Sequence, residues 1–346
     1  MKLYVEEPGM LTTVQDRGRR GYRAYGLPAA GAMDYRSLSL ANTLLGNPPG
    51  TAALEITLLG PTLSISGSGT LALAGADLGA RLNGWPLAAV EAFAVKAGDI
   101  LSFTAPLNGC RSYLAIAGGF KLPQVLGSHS TYLRGATGGY QGRALRQGDI
   151  LESAASSPTS FWQGALPAGL SGLTPPLASP HYEAVVRVLL GPQDDYFDSA
   201  NIALFFESNW QVTLEADRMG YRLKGPVLQH KAKREIVSDG ILPGAIQVPP
   251  AGAPIVLLAD AQTCGGYPKI ATVITADLGI FGQLMPGDSV QFAATTFATA
   301  AAATQAWESF LTELAIWLQR QQGSTPKRYR VRTAGGEHLV SIQTIS

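Results

Sequence analysis

The chain has no excess charge of either sign. Its 346 residues include 26 lysines and arginines and 25 aspartates and glutamates, which gives a net charge of +1. A protein that binds nucleic acid or an anionic membrane surface usually presents a basic field. We therefore expect neither nucleic acid nor a membrane as a partner.

Cysteine is scarce, and only Cys110 and Cys264 occur. Nothing in their spacing supports a disulfide, and a large core with so few cysteines is typical of a cytosolic protein. Cys264 has no identifiable base nearby, so we interpret it as a small core residue. Long apolar runs are also missing, at the start of the chain and in the alanine-rich stretch 292–303. The sequence predicts a cytoplasmic protein.

Histidine is equally scarce, and the four histidines lie far apart without the spacing of metal ligands. The chain has no Gly-x-x-x-x-Gly-Lys-Ser/Thr phosphate loop and no Gly-x-Ser-x-Gly nucleophile elbow. The sequence therefore predicts no metal site, and it predicts that the chain alone binds ATP poorly.

Glycine and proline are abundant, at 40 and 22 residues, which favours short strands joined by turns over long helices. A Gly-Asp pair precedes a strand-like run three times, at residues 98–99, 148–149 and 287–288. Gly and Asp both tolerate turn dihedrals, so each copy predicts a turn, and the recurrence indicates two related β units in tandem. Helices are predicted over residues 33–46, 193–206 and 297–322, the last with a core-facing stripe.

These patterns predict a mainly β protein with two domains and little helix. The stretch from Ser153 to Pro180 is rich in Ser, Pro, Ala and Gly and is the best candidate for a linker. The tail alternates on both sides of Ala334-Gly335-Gly336, a hairpin pattern. The predicted boundaries are an N-terminal β domain over 1–160, a linker over 161–183, a C-terminal β domain ending in a helix over 184–322, and a hairpin tail over 323–346.

A polar, glycine-studded block in the second half is the strongest sign of a binding site. It comprises Gly244 to Pro249 and Asp260 to Lys269, separated by an apolar strand. Glycines let the backbone approach a ligand closely, and polar side chains around one buried strand can then orient that ligand. The block contributes Gln247, Asp260, Gln262, Tyr267 and Lys269 as candidate site residues.

Two further blocks carry arginines between glycines. In the first, Arg19 could hold a carboxylate or phosphate, with Asp16 and Asp34 orienting it or accepting a proton. The alternative is a surface loop with a structural Asp–Arg pair and Asp34 as a helix N-cap. In the second, Arg218 and Arg222 lie four residues apart around Gly220, either as a second anion clamp or as solvated side chains at a strand end.

Taken together, these blocks resemble the allophanate hydrolase subunit 2 family. The resemblance runs over roughly residues 2 to 320 and rests on motifs in the family's order: Thr13-Val14-Gln15-Asp16, Gly31-Ala32-Met33-Asp34, Leu54-Glu55-Ile56-Thr57, Arg218-Met219-Gly220-Tyr221-Arg222, the Gly244 to Pro249 segment, and Asp260 to Pro268. The family includes the carboxyltransferase region of urea carboxylase and bacterial 5-oxoprolinase C subunits, and this chain is expected to be of the free-standing bacterial kind.

The resemblance implies two tandem cyclophilin-like β-barrels, one in each half. It implies a protein that works with the B and A subunits of a 5-oxoprolinase to open 5-oxoproline, a small cyclic amide, to glutamate with ATP. The nucleotide site would lie across an interface between subunits or on the A subunit. Two alternatives stay open: a carboxyltransferase half that acts on urea or a similar amide and requires biotin, and a non-catalytic regulatory binder of a kinase inhibitor similar to the B subunit.

Opening an amide ring with ATP needs cations for phosphate, donors for a developing oxyanion and a carboxylate that manages a proton. We predict Asp260, Gln247 and Asp16 as catalytic residues. The predicted substrate-binding residues are Arg19, Asp34, Arg218, Arg222, Gln262, Tyr267 and Lys269.

Overall fold

A computed structural model describes residues 1–154, 164–165, 183–231, 235–321, 327–333 and 336–342. Within these ranges the protein consists mostly of strands, with four α-helices and three short 3-10 turns at Arg23–Tyr25, Asp194–Tyr196 and Thr275–Asp277. The predicted mainly β class with few helices is confirmed.

The first half folds into two six-stranded sheets. Its elements are β1 (Lys2–Glu7), β2 (Leu11–Gln15), α1 (Tyr35–Leu44), β3 (Ala53–Thr57), β4 (Thr62–Ser66), β5 (Gly69–Asp77), β6 (Ala80–Leu82), β7 (Trp85–Pro86), β8 (Glu91–Val95), β9 (Ile100–Phe103), β10 (Asn108–Ile116), β11 (Ile150–Glu152) and β12 (Gly164–Ala165). The sheet orders are β11-β1-β4-β9-β6-β7 and β12-β8-β5-β10-β3-β2. One hydrophobic core joins the two sheets, because side chains such as Leu3, Leu63, Leu71 and Leu114 bury their apolar surface against each other.

The second half closes into a barrel. Its elements are β13 (Glu183–Leu190), α2 (Ser199–Glu207), β14 (Trp210–Ala216), β15 (Gly220–Lys224), β16 (Asp239–Gly240), β17 (Ala245–Gln247), β18 (Ile255–Leu257), β19 (Cys264–Gly265), β20 (Lys269–Val273), α3 (Leu278–Gln283), β21 (Ser289–Ala294), α4 (Phe297–Arg320), β22 (Lys327–Thr333) and β23 (Gly336–Ile342). The closed barrel has the order β13-β20-β17-β18-β15-β14-β21, and β16 and β19 form a separate two-stranded sheet. Closure leaves none of these seven strands at a free edge.

The three Gly-Asp turns share one hydrogen-bonding pattern. The carboxylates of Asp99, Asp149 and Asp288 each accept a bond from the backbone N–H three residues earlier, at 2.8, 2.7 and 2.8 Å. The preceding glycines all have φ between 86° and 100°, a conformation that favours glycine. Each turn leads into a strand, namely β9, β11 and β21, so the predicted launching turns are confirmed.

The predicted helices and the tail hairpin are also found. Helix α1 begins after Asp34, whose carboxylate accepts bonds from the Arg36 and Ser37 N–H groups, so Asp34 is the predicted N-cap. The segment predicted over 193–206 splits into a 3-10 turn and α2. Strands β22 and β23 pair antiparallel, as the tail pattern predicts.

The linker prediction lies mostly outside the described residues. Residues 155–163 and 166–182 are not described, and β12 between them pairs with β8 of the first half. The first half therefore recruits a strand from within the predicted linker.

The two halves exchange structural elements. Helix α4 follows the barrel in sequence, yet its Trp307, Phe310 and Leu314 pack in one cluster with Leu38 and Leu44 of α1. In return, Met33 of the first half is buried in the core of the barrel. The apolar stripe on α4 faces a core, as predicted, but that core belongs mainly to the first half. This exchange creates the cleft described below.

Candidate functional site

A large cleft of about 1180 Å³ opens between the two halves. One wall comes from the arginine-rich loop and the start of α1, and the facing wall is α4 between Thr304 and Gln319. The end of α1 with residues 46, 47 and 49, and residues 242–243, 258–259, 275–276 and 278–279 of the second half, complete the lining. The volume exceeds the roughly 300–1,000 Å³ typical of small-molecule sites, so the cleft can hold more than one small group.

Four arginines line this cleft: Arg17, Arg20, Arg23 and Arg36. Among the residues that the structure describes, none of the four forms an ion pair. Burial lowers the pKa of Arg23 and that of Arg36, because partial desolvation disfavours a charged form. Asp16 and Glu308 also line the cleft, but among the described residues neither forms an ion pair with any of these arginines.

Local contacts hold three of these side chains in place. The Arg36 guanidinium lies 4.4 Å from the centre of the Trp307 ring, and Arg17 lies 5.3 Å from that of Tyr35. Arg23 donates a hydrogen bond to the carbonyl of Ile241 in the second half. The two sides of the loop are joined by a bond from the Arg19 N–H to the Ala29 carbonyl, 2.6 Å long. Contacts of this kind reduce the entropy that binding a ligand would cost.

Asp16 lies at the edge of the cleft and organises the loop 128–130. Its carboxylate accepts bonds from the hydroxyls of Ser128 and Ser130, at 2.7 and 2.5 Å, and from the N–H groups of His129 and Gly18, at 2.6 and 2.8 Å. Four donors satisfy the acceptor capacity of a carboxylate. In the described structure Asp16 thus positions backbone and hydroxyl groups at the cleft edge.

Arg19 is fully buried behind this edge. Its guanidinium donates to the carbonyls of Val125 and Ser130, at 3.1 and 2.8 Å, while its Nη1 has no hydrogen-bond partner among the described residues. Burial lowers the pKa of Arg19, against the opposing effects of Asp16 and Asp260. Ser130 links Arg19 to Asp16, because its carbonyl accepts from the Arg19 guanidinium and its hydroxyl donates to the Asp16 carboxylate.

A buried ion network joins the halves next to this point. Arg218 makes two bonds to Asp260, at 3.0 and 2.9 Å, contacts Glu55 of β3, and donates to the Gly31 carbonyl at 2.6 Å. Glu55 also accepts bonds from the Tyr113 hydroxyl at 2.7 Å and the Met33 N–H at 2.8 Å. The network thus ties the first half's sheet and loop to the barrel.

Burial and pairing compete in setting the protonation of this network. Burial raises the pKa of Glu55, but Arg218 and Arg111 lower it further, so the net shift is downward. For Asp260 burial dominates and the pKa is raised despite the bidentate bonds to Arg218. Burial lowers the pKa of Arg218, whereas Glu55 and Asp260 raise it more. Arg218 therefore remains a cation between two acidic groups.

Asp34 has a second contact besides its N-cap role. Its Oδ2 accepts a 2.8 Å bond from the side-chain amide of Gln283, at the end of α3. A side chain on Gly279 of α3 would overlap the Asp34 carboxylate, so only glycine allows this close approach. The predicted residue Asp34 thus lies at the contact between the halves rather than in the lining of the cleft.

Gln247 and Lys269 form a separate buried group in the barrel. They are opposite each other in the register of β17 and β20. The Gln247 amide donates to the Tyr267 carbonyl at 3.2 Å, and the Lys269 ammonium donates to Asp239 at 2.5 Å and to the Gly240 carbonyl at 3.1 Å. These bonds attach the small β16–β19 sheet to the barrel.

Three predicted residues lie on the surface. Gln262 and Tyr267 are exposed. Arg222 is exposed on β15 and pairs with Glu215 at 2.7 Å, so it is not in the cleft. The interpretation of Cys264 as a core residue is wrong, because it is exposed on β19, and Cys110 is buried and also a free thiol. Cys264 is exposed because β19 pairs only with β16, outside the barrel.

Five residues of this region were not predicted as site residues: Glu55, Arg17, Arg20, Arg23 and Arg36. The density of arginines in residues 17–23 was an available signal for three of them. Glu55 sits in a strand-like apolar run, and nothing local indicates that its partner is 163 residues away. Arg36 falls in the first turn of a helix, where a solvated side chain is the ordinary expectation.

Neither metal ligation nor membrane spanning is seen in the described ranges. No group of three or more His, Cys, Asp or Glu side chains there could hold a metal ion. None of the described helices is long and apolar enough to cross a bilayer.

Residues 25–294 match the model of the carboxyltransferase domain, subdomain A and B. The chain is 40% identical over 325 residues to the 5-oxoprolinase C subunit of Escherichia coli K12, covering 92% of this chain and 99% of that protein. It is 38% identical over 302 residues to the same-named protein of Haemophilus influenzae, covering 87% and 94%.

The fold also matches a solved structure, that of K. lactis urea amidolyase. The TM-score is 0.84 at 34% identity, over 90% of this chain and 20% of that larger chain. The likeness therefore spans both halves described above. Because the family model covers most of the chain, and similar proteins match it nearly end to end, this protein belongs to the family of carboxyltransferase domains with subdomains A and B.

Proposed function

We propose that this protein is the C subunit of an ATP-dependent 5-oxoprolinase, which hydrolyses 5-oxo-L-proline to L-glutamate together with the A and B subunits in the cytoplasm. The observation that carries the proposal is the 40% identity over 92% of this chain and 99% of the E. coli 5-oxoprolinase C subunit.

The chemistry of the cleft supports an anionic amide as substrate. A lactam is a poor electrophile, and ATP supplies the activation by phosphorylating the amide oxygen, so that water can add to the ring carbon and the C–N bond can break. The product is glutamate, and ADP and phosphate are released. The residues that fit such a reaction are cations without a carboxylate partner and buried donors. The arginine-lined cleft, with the unpartnered Nη1 of Arg19 behind it among the described residues, provides both.

We assign the reaction to Asp16, which lines the cleft, together with the buried residues Arg19 and Asp260. Arg19 stabilises negative charge that develops on the substrate oxygen. Asp260, whose pKa is raised by burial, manages the proton, and Arg218 keeps it oriented. Asp16 holds the loop 128–130 in place. Gln247 and Lys269 support the β16–β19 sheet.

The test is glutamate release from 5-oxoproline by the protein purified with its candidate A and B partners. Each of the three proteins is left out in turn, and so is ATP. We expect glutamate only in the complete mixture. Glutamate formation that continues without this chain, or a soluble assembled complex that forms none, would refute the proposal.

A variant tests the site within the same assay. Asp260→Asn keeps the shape of the side chain but removes its charge and its ability to accept a proton. We expect turnover to fall about a hundred- to thousand-fold, as for the loss of one group that acts on the transition state. Gel filtration shows whether the variant still assembles with its partners, which controls for a purely structural defect. Wild-type turnover in Asp260→Asn would remove Asp260 from the site.

The solved relative favours one second candidate. The high structural similarity to K. lactis urea amidolyase suggests the carboxyltransferase half of a biotin-dependent urea or amide carboxylase. This function needs a biotin-carrying partner, whereas the first does not. Inhibition by avidin of the activity in crude extract would favour the carboxylase, and activity insensitive to avidin would favour the oxoprolinase.

A further inference from the structure

Arg36 occupies a second region of the cleft, between α1 and α4. It is the second residue of α1 and lines the cleft together with Trp307 of α4. Trp307 lies beyond residue 294, where the match to the family model ends. This part of the cleft is thus completed by a helix outside the matched domain.

The geometry fixes the Arg36 guanidinium in one orientation. It lies 4.4 Å from the centre of the Trp307 indole, which favours stacking of its planar group on the ring. Trp307 is itself held, because its Nε1–H donates a 3.2 Å bond to the hydroxyl of Ser39, one turn further along α1. A guanidinium ordered in this way needs little further entropy loss to bind a ligand.

Arg36 forms no ion pair with any described carboxylate, although the exposed Glu308 next to Trp307 also lines the cleft. The carboxylates that act on it are Asp34 and Asp277. Asp34 is occupied by the N-terminal N–H groups of α1, the Ser37 hydroxyl and Gln283. Asp277 makes bidentate bonds to Arg187, at 2.9 and 2.6 Å. The Arg36 Nε is buried without a hydrogen-bond partner in the described ranges. A half-buried cation in this state lacks the anion that would normally accompany it.

Arg36 and Arg19 have different contacts, because Arg36 stacks on Trp307 whereas Arg19 donates to the carbonyls of Val125 and Ser130. The carboxylates that act on Arg19 are Asp16 and Asp260, whereas those that act on Arg36 are Asp34 and Asp277. Both regions belong to one cleft of about 1180 Å³, far more than a single five-membered lactam fills.

We propose that Arg36, stacked on Trp307, is an anion-binding residue of a second subsite, which takes an oxyanion group, carboxylate or phosphate, through the edge of its guanidinium. The stacked face is occupied by the indole, so the N–H groups at the edge donate to two oxygens of the ligand. The subsite does not depend on the oxoprolinase reaction. It predicts that the isolated chain binds small oxyanions.

The test is isothermal titration of the purified full chain with inorganic phosphate, ATP, 5-oxo-L-proline and the uncharged lactam 2-pyrrolidinone. We expect binding of at least one of the three anions and much weaker binding of 2-pyrrolidinone. The tightest anion identifies the source of the oxyanion, phosphate or carboxylate. Quenching or enhancement of tryptophan fluorescence by phosphate, lost in Trp307→Phe, would place the ligand at this ring.

The decisive variant is Arg36→Gln, with Arg81→Gln as the matched control. Arg81 is on β6, away from the cleft, and bonds only to the Gly84 carbonyl among the described residues. Arg36→Gln should weaken anion binding at least about tenfold, the effect of losing one charge-assisted hydrogen bond, and Arg36→Lys should be intermediate. Arg81→Gln should bind like the wild type.

Equal affinity in Arg36→Gln and the wild type would overturn the proposal, and so would a wild-type protein that binds none of the anions below about 10 mM. The outcome is independent of the oxoprolinase assignment. Anion binding that depends on Arg36, in a chain whose complex makes no glutamate, would leave the subsite standing and refute the assignment.

Discussion

Two sets of arginines in this protein differ in whether their guanidinium groups have carboxylate partners. Arg111 and Arg218 are buried where the halves meet and are surrounded by acceptors, including Glu55, Asp260, the Tyr221 hydroxyl and backbone carbonyls. The four arginines of the cleft have no ion pair with any described residue.

The difference shows which charges hold the fold and which are left for a ligand. A buried cation is tolerated only when its partners compensate its desolvation, so the first set depends on its carboxylates. A cation beside a cleft can remain in partial contact with water, and an incoming anion then replaces that water. Variants in the two sets should therefore separate stability from binding.

The largest effect on stability is expected for Glu55→Ala. The change leaves Arg111 without its carboxylate partner and Arg218 with Asp260 alone. Breaking a buried ion pair in this way costs about 3–5 kcal/mol. Urea unfolding followed by circular dichroism measures the free energy. The exposed Glu215, paired with Arg222 at the surface, provides the control through Glu215→Ala. An equal loss of unfolding free energy in Glu55→Ala and Glu215→Ala would contradict the proposed difference between the two sets of arginines.

The pH dependence of stability tests the same carboxylate. The net pKa shift of Glu55 is downward from its ordinary value of 4.5. The stabilisation that ionised Glu55 gives to the folded state is therefore fully present above about pH 4.5, and it is lost as the pH falls through the lowered pKa of Glu55 in the folded state. The free energy of unfolding of the wild type and of Glu55→Gln is measured with urea from pH 7 to pH 3. The difference between the two proteins should become smaller as the pH falls. A gap that stays constant, or widens, would contradict the assignment.

In the cleft, Arg23→Gln should affect activity much more than stability. Arg23 has one bond to the Ile241 carbonyl and an unpartnered Nη1 among the described residues, so the unfolding free energy should change by less than about 1.5 kcal/mol. Glutamate release by the assembled complex should fall about tenfold or more, because a cation facing the substrate is lost. Unchanged turnover together with a large loss of stability would show that Arg23 stabilises the fold, as Arg111 and Arg218 do, and does not contact the substrate.

The smallest effect is expected at Arg222, the predicted anion ligand that the structure places at the surface. Its pair with Glu215 is exposed on both sides, and such pairs contribute roughly 0–1 kcal/mol. Arg222→Gln should leave turnover and phosphate binding near wild-type values. A tenfold loss of activity would show that Arg222 meets a ligand or a partner protein at this surface.

Several features could be predicted because a few neighbouring residues decide them. The Gly-Asp turns depend on one positive φ and one carboxylate that closes a local bond, and the N-cap at Asp34 depends on residues 34–37. The spacing of apolar residues along α4 was enough to predict that helix. The alternation of residues in the tail was enough to predict its hairpin. Motif order was also sufficient to indicate the family.

The arrangement of the candidate site was harder to predict. The predicted residues Asp16 and Arg19 are linked through Ser130, but the second-half block was expected to act as one site. Instead, Gln247 and Lys269 turn towards the β16–β19 sheet, and Gln262 and Tyr267 are exposed. Proximity in sequence to a buried strand does not determine which way each side chain points once the barrel closes.

By itself, the sequence determined the strand-rich class, the Gly-Asp turns, the N-cap of α1 and the family, because each follows from short-range dihedral preferences or from the order of motifs. Only the tertiary structure decided that Glu55 pairs with Arg218, that α4 packs on the first half, and that Arg36 faces a cleft beneath Trp307. These contacts join residues 163 to 271 positions apart. They arise where two halves bury apolar surface against each other, and no local pattern records which charges that burial will bring together.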